Sequence, residues 1–170
     1  MHELAITVIG PDRTGIVADV AEALAGVGAN LADSTMTRLR GHFAMTLICT
    51  GPAAGAVEKA LEPLTADGRL VAIVRAVQQE ADATPHGEPF LVSVHGADRL
   101  GIVAAVTRVV AAAGGNITDL TSRLTGPLYV IVAEVDLGPD RADVLAAQLA
   151  VAAAELGVDV TLRRAESEIL

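Results

Sequence analysis

Short apolar runs bounded by glycine alternate along this chain with stretches in which apolar residues recur every three or four positions. The runs 4–9 and 90–95 are rich in β-branched residues and predict buried strands. After each run an apolar stripe at helical spacing predicts a helix that buries one face. The stripe consists of Ile16, Val17, Val20, Leu24 and Val27 in the first case, and of Ile102, Val103, Val106, Val110 and Ala113 in the second.

Each helix is followed by two extended runs, which predict a β-hairpin. The paired runs are 30–39 with 42–50, joined around Arg40-Gly41, and 116–124 with 128–136, joined around Gly126-Pro127. A second helix and a closing strand complete each half. The helices are marked by Val57, Leu61 and Leu64 and by Leu145, Leu149, Ala152 and Leu156, and the strands are 70–77 and 158–162.

The predicted order is therefore βαββαβ, twice. This order is that of ferredoxin-like α+β domains, in which a four-stranded antiparallel sheet carries two helices on one face. Between the halves, residues 78–89 are polar, contain two prolines and show no periodicity, which predicts a linker. We expect a first domain over 1–77 and a second over 90–170.

The two halves also repeat in sequence. With a shift of 86 residues, segments 4–35 and 90–121 are identical at 14 of 32 positions. The repeat includes Asp-Arg-x-Gly-Ile-Val, which stands at 12–17 and again at 98–103. Residues kept in both copies have been retained by one fold that occurs twice.

Composition narrows the classes of function. Acidic residues outnumber basic ones 21 to 12, for a net charge of −9, and no stretch concentrates Arg or Lys, which argues against direct binding of nucleic acid. A single cysteine, Cys49, fits a reducing compartment. The chain begins directly with a strand pattern and has no apolar run of membrane-spanning length. These features predict a soluble cytoplasmic protein without membrane contact.

The third strand of each half is apolar on both of its faces, over 43–49 and 129–133. Two helices cover only one face of a ferredoxin-like sheet, so the other face needs a cover of its own. We expect either a homo-oligomer, most simply a homodimer, or a tight stacking of the two halves.

The motif Asp-Arg-x-Gly-Ile-Val after a first strand, followed by a helix that ends in Gly-x-Asn, resembles the ACT domain, a small regulatory module that binds amino acids. The resemblance covers 4–77 and 90–164. Two free-standing ACT domains in one chain resemble the glycine cleavage system repressor group most. That resemblance implies a non-catalytic regulator with a small amino acid, of the glycine or serine class, as effector, and with a transcriptional activator or a metabolic enzyme as protein partner. It implies no cofactor and no metal.

A physical argument supports amino-acid binding at the first loop of each copy. The loop leads into a helix N-terminus, where free backbone N–H groups and the helix dipole favour a carboxylate. Asp would suit an ammonium group and Asn would suit a zwitterion. The resemblance places ligand contacts at both ends of the first helix. The candidate residues are Asp12, Gly15, Ile16, Asn30 and Leu31 in the first copy, and Asp98, Gly101, Ile102, Asn116 and Ile117 in the second.

Structural roles compete with this interpretation. Asp12 and Asp98 immediately precede a helix and would serve equally as N-terminal caps. Asn30 and Asn116 follow helix-ending glycines and would suit a left-handed turn. The Asp and Asn of one copy also frame opposite ends of a helix, so a shared site would be completed across an interface between two ACT units.

Other polar residues favour structural roles. Arg13 and Arg99 would hold an oligomer through a carboxylate or neutralise a nearby acid. His95, whose counterpart is Ile9, is expected to be a feature of one copy only, and Cys49 an inert core residue.

Three classes of function therefore remain. The first is the amino-acid sensor, and the second is an interaction module that holds its partner whether or not ligand is present. An enzyme is the third class, but no nucleophile with an adjacent base occurs in both copies.

Overall fold

The computed structural model describes residues 2–78 and 87–165. They fall into two compact units. The first contains β1 (His2–Pro11), α1 (Ile16–Gly26), β2 (Asn30–Leu39), β3 (His42–Gly51), α2 (Ala54–Thr65) and β4 (Val71–Val77). The second contains β5 (Glu88–Ala97), α3 (Ile102–Ala112), β6 (Asn116–Thr125), β7 (Leu128–Leu137), α4 (Ala142–Leu156) and β8 (Val158–Arg164).

Each unit has the predicted βαββαβ order and one antiparallel sheet. The strand orders are β2-β3-β1-β4 and β6-β7-β5-β8, so the first and third strands are central. The predicted ferredoxin-like α+β fold is confirmed. Of the predicted linker 78–89, residues 79–86 lie outside the described residues, and β5 already begins at Glu88. The domain boundaries stay a prediction.

Every second residue of the central strands points to the same side of the sheet, and this apolar side lies under the helices. In β1, Leu4, Ile6 and Val8 are buried, and in β5, Val92 and Val94 are buried. The helices complete these cores with the predicted stripes; Val20 and Leu24 of α1 are fully buried, for example. Each unit thus has a hydrophobic core of its own, made by the residues that repeat at strand and helix spacing.

Glycines end the first helix of each unit as predicted. Gly28 (φ 75°) and Gly114 (φ 79°) adopt left-handed backbone. Their N–H groups donate to the carbonyls of Ala25 and Ala111, and the next N–H reaches one residue further back. This is the Schellman arrangement, which satisfies the last carbonyls of the helix.

The face of the first sheet opposite the helices remains partly exposed. This is the face for which the sequence predicts a cover. Side chains there include Ile9 and Ile73, which are 46% and 53% exposed. They belong to strands whose opposite side faces the core, so their exposure follows from the pleat.

Candidate ligand-binding site

The loop between the first strand and the first helix has the same backbone in both units. Gly15 (φ 82°) and Gly101 (φ 90°) hold the N-cap positions of α1 and α3 in left-handed conformation, with no side-chain hydrogen bond to cap the helix. A Cβ placed on either glycine would meet nothing within 4 Å. Asp12 and Asp98 are therefore not N-caps, and no side chain caps the N-terminus of either helix.

In the first unit this loop is tied to the β2–β3 hairpin and to its own helix. The backbone N–H of Asp12 donates to the carbonyl of Gly41 at 3.0 Å. Its carboxylate lies 3.5 Å from Nη1 of Arg38. Arg13 pairs with Asp19 in the first turn of α1 at 2.6 Å, so Arg13 neutralises a nearby acid, one of the two roles predicted for it.

The second unit lacks these pairs because the partners are replaced: Leu124 stands where Arg38 would be, and Ala105 where Asp19 would be. Within residues 87–165, Asp98 forms no ion pair. The guanidinium of Arg99 lies beside Gly157 at the C-terminus of α4, the negative end of the helix dipole.

A cavity adjoins each loop, on different sides. In the second unit a cavity of about 560 Å³ is lined by the loop, the first turn of α3 and Tyr129. Leu100, at the tip of this loop, is fully exposed. In the first unit a cavity of about 300 Å³ lies between the loop and the α2–β4 connection. Its lining includes Asp12, Arg13, Asp67 and Arg69.

Sequence reasoning did not find Leu100 and Tyr129 as cavity residues. Leu100 differs from its counterpart Thr14, so the comparison of the two copies does not mark it as a shared site residue. Tyr129 is one of only three aromatic residues in the sequence, and this rarity could have drawn attention to it. Its position beside the loop, however, depends on the pairing of Gly96 with Tyr129 across β5 and β7.

The structure does not bring the Asp and the Asn of one unit together. Asn30 is the first residue of β2 and pairs with Thr50, at the far end of β3 from His42, which pairs with Pro11 beside the loop. Eight residues of strand separate the two ends, about 26 Å. Asn116 holds the same position in β6. Both are extended and exposed, so the predicted left-handed turn role of these asparagines is wrong.

The apolar candidates belong largely to the cores. Ile16 and Ile102 are 3% and 2% exposed and belong to the cores of their units. Leu31 and Ile117 are half-buried and pack against their unit's core. Their places in a ligand site stay a prediction.

His95 and Cys49 form no second site with the described residues. His95 lies 3.5 Å from Asp159 on the open face of the second sheet. Burial raises the pKa of the Cys49 thiol above its ordinary value of 9.0, as expected of an inert core residue. Among the described residues no group of three metal-ligating side chains is found, and none of their helices is both long and apolar enough to cross a membrane.

Two repeated ferredoxin-like units, each with a glycine at the N-cap of its first helix, define a tandem α+β repeat protein. The family model of the ACT domain matches residues 2–74 and 88–163, so this chain belongs to the ACT domain family.

Individual relatives agree with this assignment. A UPF0237 protein of Methanopyrus kandleri is 40% identical over 81 residues, which are 47% of this chain and 90% of the relative. A UPF0237 protein of Methanocaldococcus jannaschii is 36% identical over 75 residues, covering 43% of this chain and 83% of the relative. These relatives therefore match about one unit of the chain.

Two solved structures match the whole chain. An unknown protein from Galdieria sulphuraria is 29% identical, with a TM-score of 0.81 and coverage of 97% of this chain and 99% of that one. A protein provisionally described as a glycine cleavage system transcriptional repressor is 21% identical, with a TM-score of 0.75 and coverage of 98% of each chain. At that identity the second similarity shows the fold alone.

Proposed function

We propose that this protein is a non-catalytic regulator that binds a small amino acid of the glycine or serine class and transmits binding to a protein partner in amino-acid metabolism. The partner is a transcription factor or a metabolic enzyme. The observation that carries the proposal is the uncapped helix N-terminus after Gly15 and Gly101, which recurs in both units of an ACT protein.

The chemistry of the loop suits a free amino acid. The first-turn N–H groups of each helix would receive the α-carboxylate, because they are donors at the positive end of the helix dipole. The carboxylate of Asp12 or Asp98 would receive the ammonium group. Glycine at the N-cap position leaves the approach to these donors free of a side chain.

The second unit would hold the stronger site. Asp98 is without an ion pair in the described chain, whereas Asp12 is already paired with Arg38. The ammonium group of a ligand would therefore compete with the Arg38 guanidinium for the Asp12 carboxylate in the first unit, and with water alone for the Asp98 carboxylate in the second. The cavity beside the second loop is also larger, about 560 against 300 Å³.

An asparagine for the site would come from another copy of the chain. β2 and β6 are edge strands, so their outer backbone groups are available to a neighbouring strand. Antiparallel pairing of two copies of such an edge brings the Asn30 end of one β2 to the loop end of the other. The roughly 26 Å between Asp12 and Asn30 within a unit is then bridged across the edge.

Affinity would be modest. Glycine has about five heavy atoms, and an upper limit of about 1.5 kcal/mol per atom gives a dissociation constant no lower than a few micromolar. Such a site suits the sensing of an abundant metabolite.

Calorimetric titration with glycine, serine, alanine and the branched-chain amino acids tests the proposal. We expect saturable binding of one small amino acid. Asp98→Asn should weaken it about tenfold or more through loss of a charge-assisted contact, and Asp12→Asn should weaken it less. Asn30→Ala and Asn116→Ala test the completed site. Asp143→Asn, which removes a carboxylate in the first turn of α4, at the opposite end of that helix from Arg99, is the matched control.

No binding at millimolar ligand by folded protein would contradict the proposal. It would favour an interaction module without a ligand, which the separation of Asp12 from Asn30 within each unit also supports. In that case association with the partner would be indifferent to amino acids and to Asn30→Ala.

A further inference from the structure

The open face of the first sheet carries an apolar surface that the helices do not cover. Ile9, Val71, Ile73 and Val77 are 46%, 51%, 53% and 36% exposed. Val71 and Ile73 stand in β4, directly beside Ile9 and Thr7 of β1. These side chains form one strip along an edge of the sheet. We use the name open face for the whole side of the first sheet that carries this strip, opposite the helices.

One row across the open face has opposite charges at its two ends. The backbone register places Asp33, Ile48, Ala5 and Arg75 side by side across β2, β3, β1 and β4. Asp33 and Arg75 are exposed and about 14 Å apart, three strand spacings. Neither forms an ion pair within residues 2–78. The row therefore offers an unpaired acid at one edge and an unpaired base at the other.

We propose that the open face is covered by the same face of a second copy of this chain. A two-fold axis parallel to the strands and lying between two such faces sets β2 of each copy against β4 of the other. Asp33 of each copy then meets Arg75 of the other, so both ion pairs form at once, as an isologous interface requires. In the middle of the row, Ile48 meets Ala5.

Shape agrees with charge in this arrangement. A shallow depression of about 270 Å³ lies on β2 and β3, lined by Asp33, Thr35, Thr46 and Ile48 among others. The two-fold axis places Ile73 of the other copy opposite Thr35, at this depression. Ile73, an exposed apolar side chain of β4, thus meets the recess beside Asp33, once in each direction.

The second sheet has the same charged row, but it is less suited than a second copy of the first sheet to cover the open face. Asp119 and Arg163 stand where Asp33 and Arg75 stand in the first sheet, but Glu134 replaces Ile48. Against the first open face, Glu134 would lie over Ala5 and lose water without gaining a partner. Within this row the first face paired with itself has no such charge, and Glu3, two residues along β1 on the same face, would lie over Thr50 of the other copy.

The expected affinity follows from the size of the face. Four strands over about seven residues cover roughly 20 by 23 Å, so two copies bury on the order of 1,000 Å². Interfaces of that size belong to the weak class, and we expect a dimer dissociation constant in the micromolar range.

Charge reversal and charge exchange test this face-to-face interface in the absence of amino acids. The interface is distinct from the edge pairing of β2 in the proposed ligand site, because Arg75 lies in β4 at the other edge of the sheet. Sedimentation equilibrium over a dilution series should show a dimer of the wild-type chain. Asp33→Arg and Arg75→Asp should each raise the dissociation constant about tenfold or more, since each places like charges together twice. The double variant Asp33→Arg with Arg75→Asp should restore the dimer. Circular dichroism checks that each variant is folded.

Arg163→Asp is the matched control, because Arg163 occupies the equivalent place in the second sheet. It should leave the dimer unchanged. A wild-type chain that stays monomeric throughout the series would overturn the proposal, as would a dimer indifferent to both single reversals. Loss of the dimer in Arg163→Asp, with Asp33→Arg still disruptive, would overturn it in favour of the second sheet as occupant.

Discussion

Gly15 and Gly101 determine whether the two loops can present helix N-terminal N–H groups at all. Both adopt left-handed backbone, a conformation that costs an L-residue roughly 1–2 kcal/mol. The space around each is open, so this requirement comes from the backbone and not from crowding.

Replacement of Gly15 by alanine measures this requirement. We expect Gly15→Ala to lower the free energy of unfolding of the first unit by about 1–2 kcal/mol, because alanine must take the left-handed conformation. Gly26→Ala is the control, since Gly26 lies at the other end of α1 with helical backbone and open surroundings. It should raise stability by about 0.4–1 kcal/mol. Urea denaturation of both variants gives the comparison; equal effects would refute the left-handed requirement.

At the scale of elements, the order of strands and helices followed from periodicity, because each element buries one face against its own core. The helix ends at Gly28 and Gly114 were also predictable, since Schellman endings need left-handed residues. The surroundings of Asp12 were not predictable from the sequence. Its pairing with Arg38 depends on the register of a hairpin and on the path of a loop, and neither leaves a local pattern in the sequence.

The two hairpins show how much turn chemistry contributes. Arg40 (φ 49°) and Gly41 (φ 82°) both have positive φ, as a two-residue type I′ turn requires. Gly126-Pro127 has glycine with positive φ first and proline second, which is the type II′ pattern. Glycine suits both turns, whereas arginine at position 40 takes a conformation that Asn or Gly would take at lower cost.

Arg40→Asn therefore tests the first turn. We expect a gain of about 0.5–1 kcal/mol in unfolding free energy, because asparagine tolerates left-handed backbone better than arginine. Gly41→Ala, at the next position of the same turn, should destabilise instead. Thermal and urea denaturation measure both, and a loss of stability in Arg40→Asn would contradict the assigned turn.

At the scale of the whole molecule, the repeat made the fold predictable but concealed how the copies differ. The repeat keeps Asp12 and Asp98 at equivalent positions, whereas the contacts made by Arg38 and Asp19 in the first unit have no equivalent among the described residues of the second. The open faces differ in the same way: one charged row is kept in both, while Ile48 is replaced by Glu134. One scaffold thus supports a first loop whose Asp12 is ion-paired and a second loop whose Asp98 has no ion pair within the described residues.

The central claim is that a small amino acid binds at the first loop of the ACT units. An NMR titration of ¹⁵N-labelled protein with glycine and with serine tests it most directly, because each backbone N–H reports separately. The account predicts saturable shifts concentrated at 98–104, with weaker ones at 12–18 and at the asparagines Asn30 and Asn116. No shifts at millimolar ligand, or shifts confined to residues away from both loops, would contradict it.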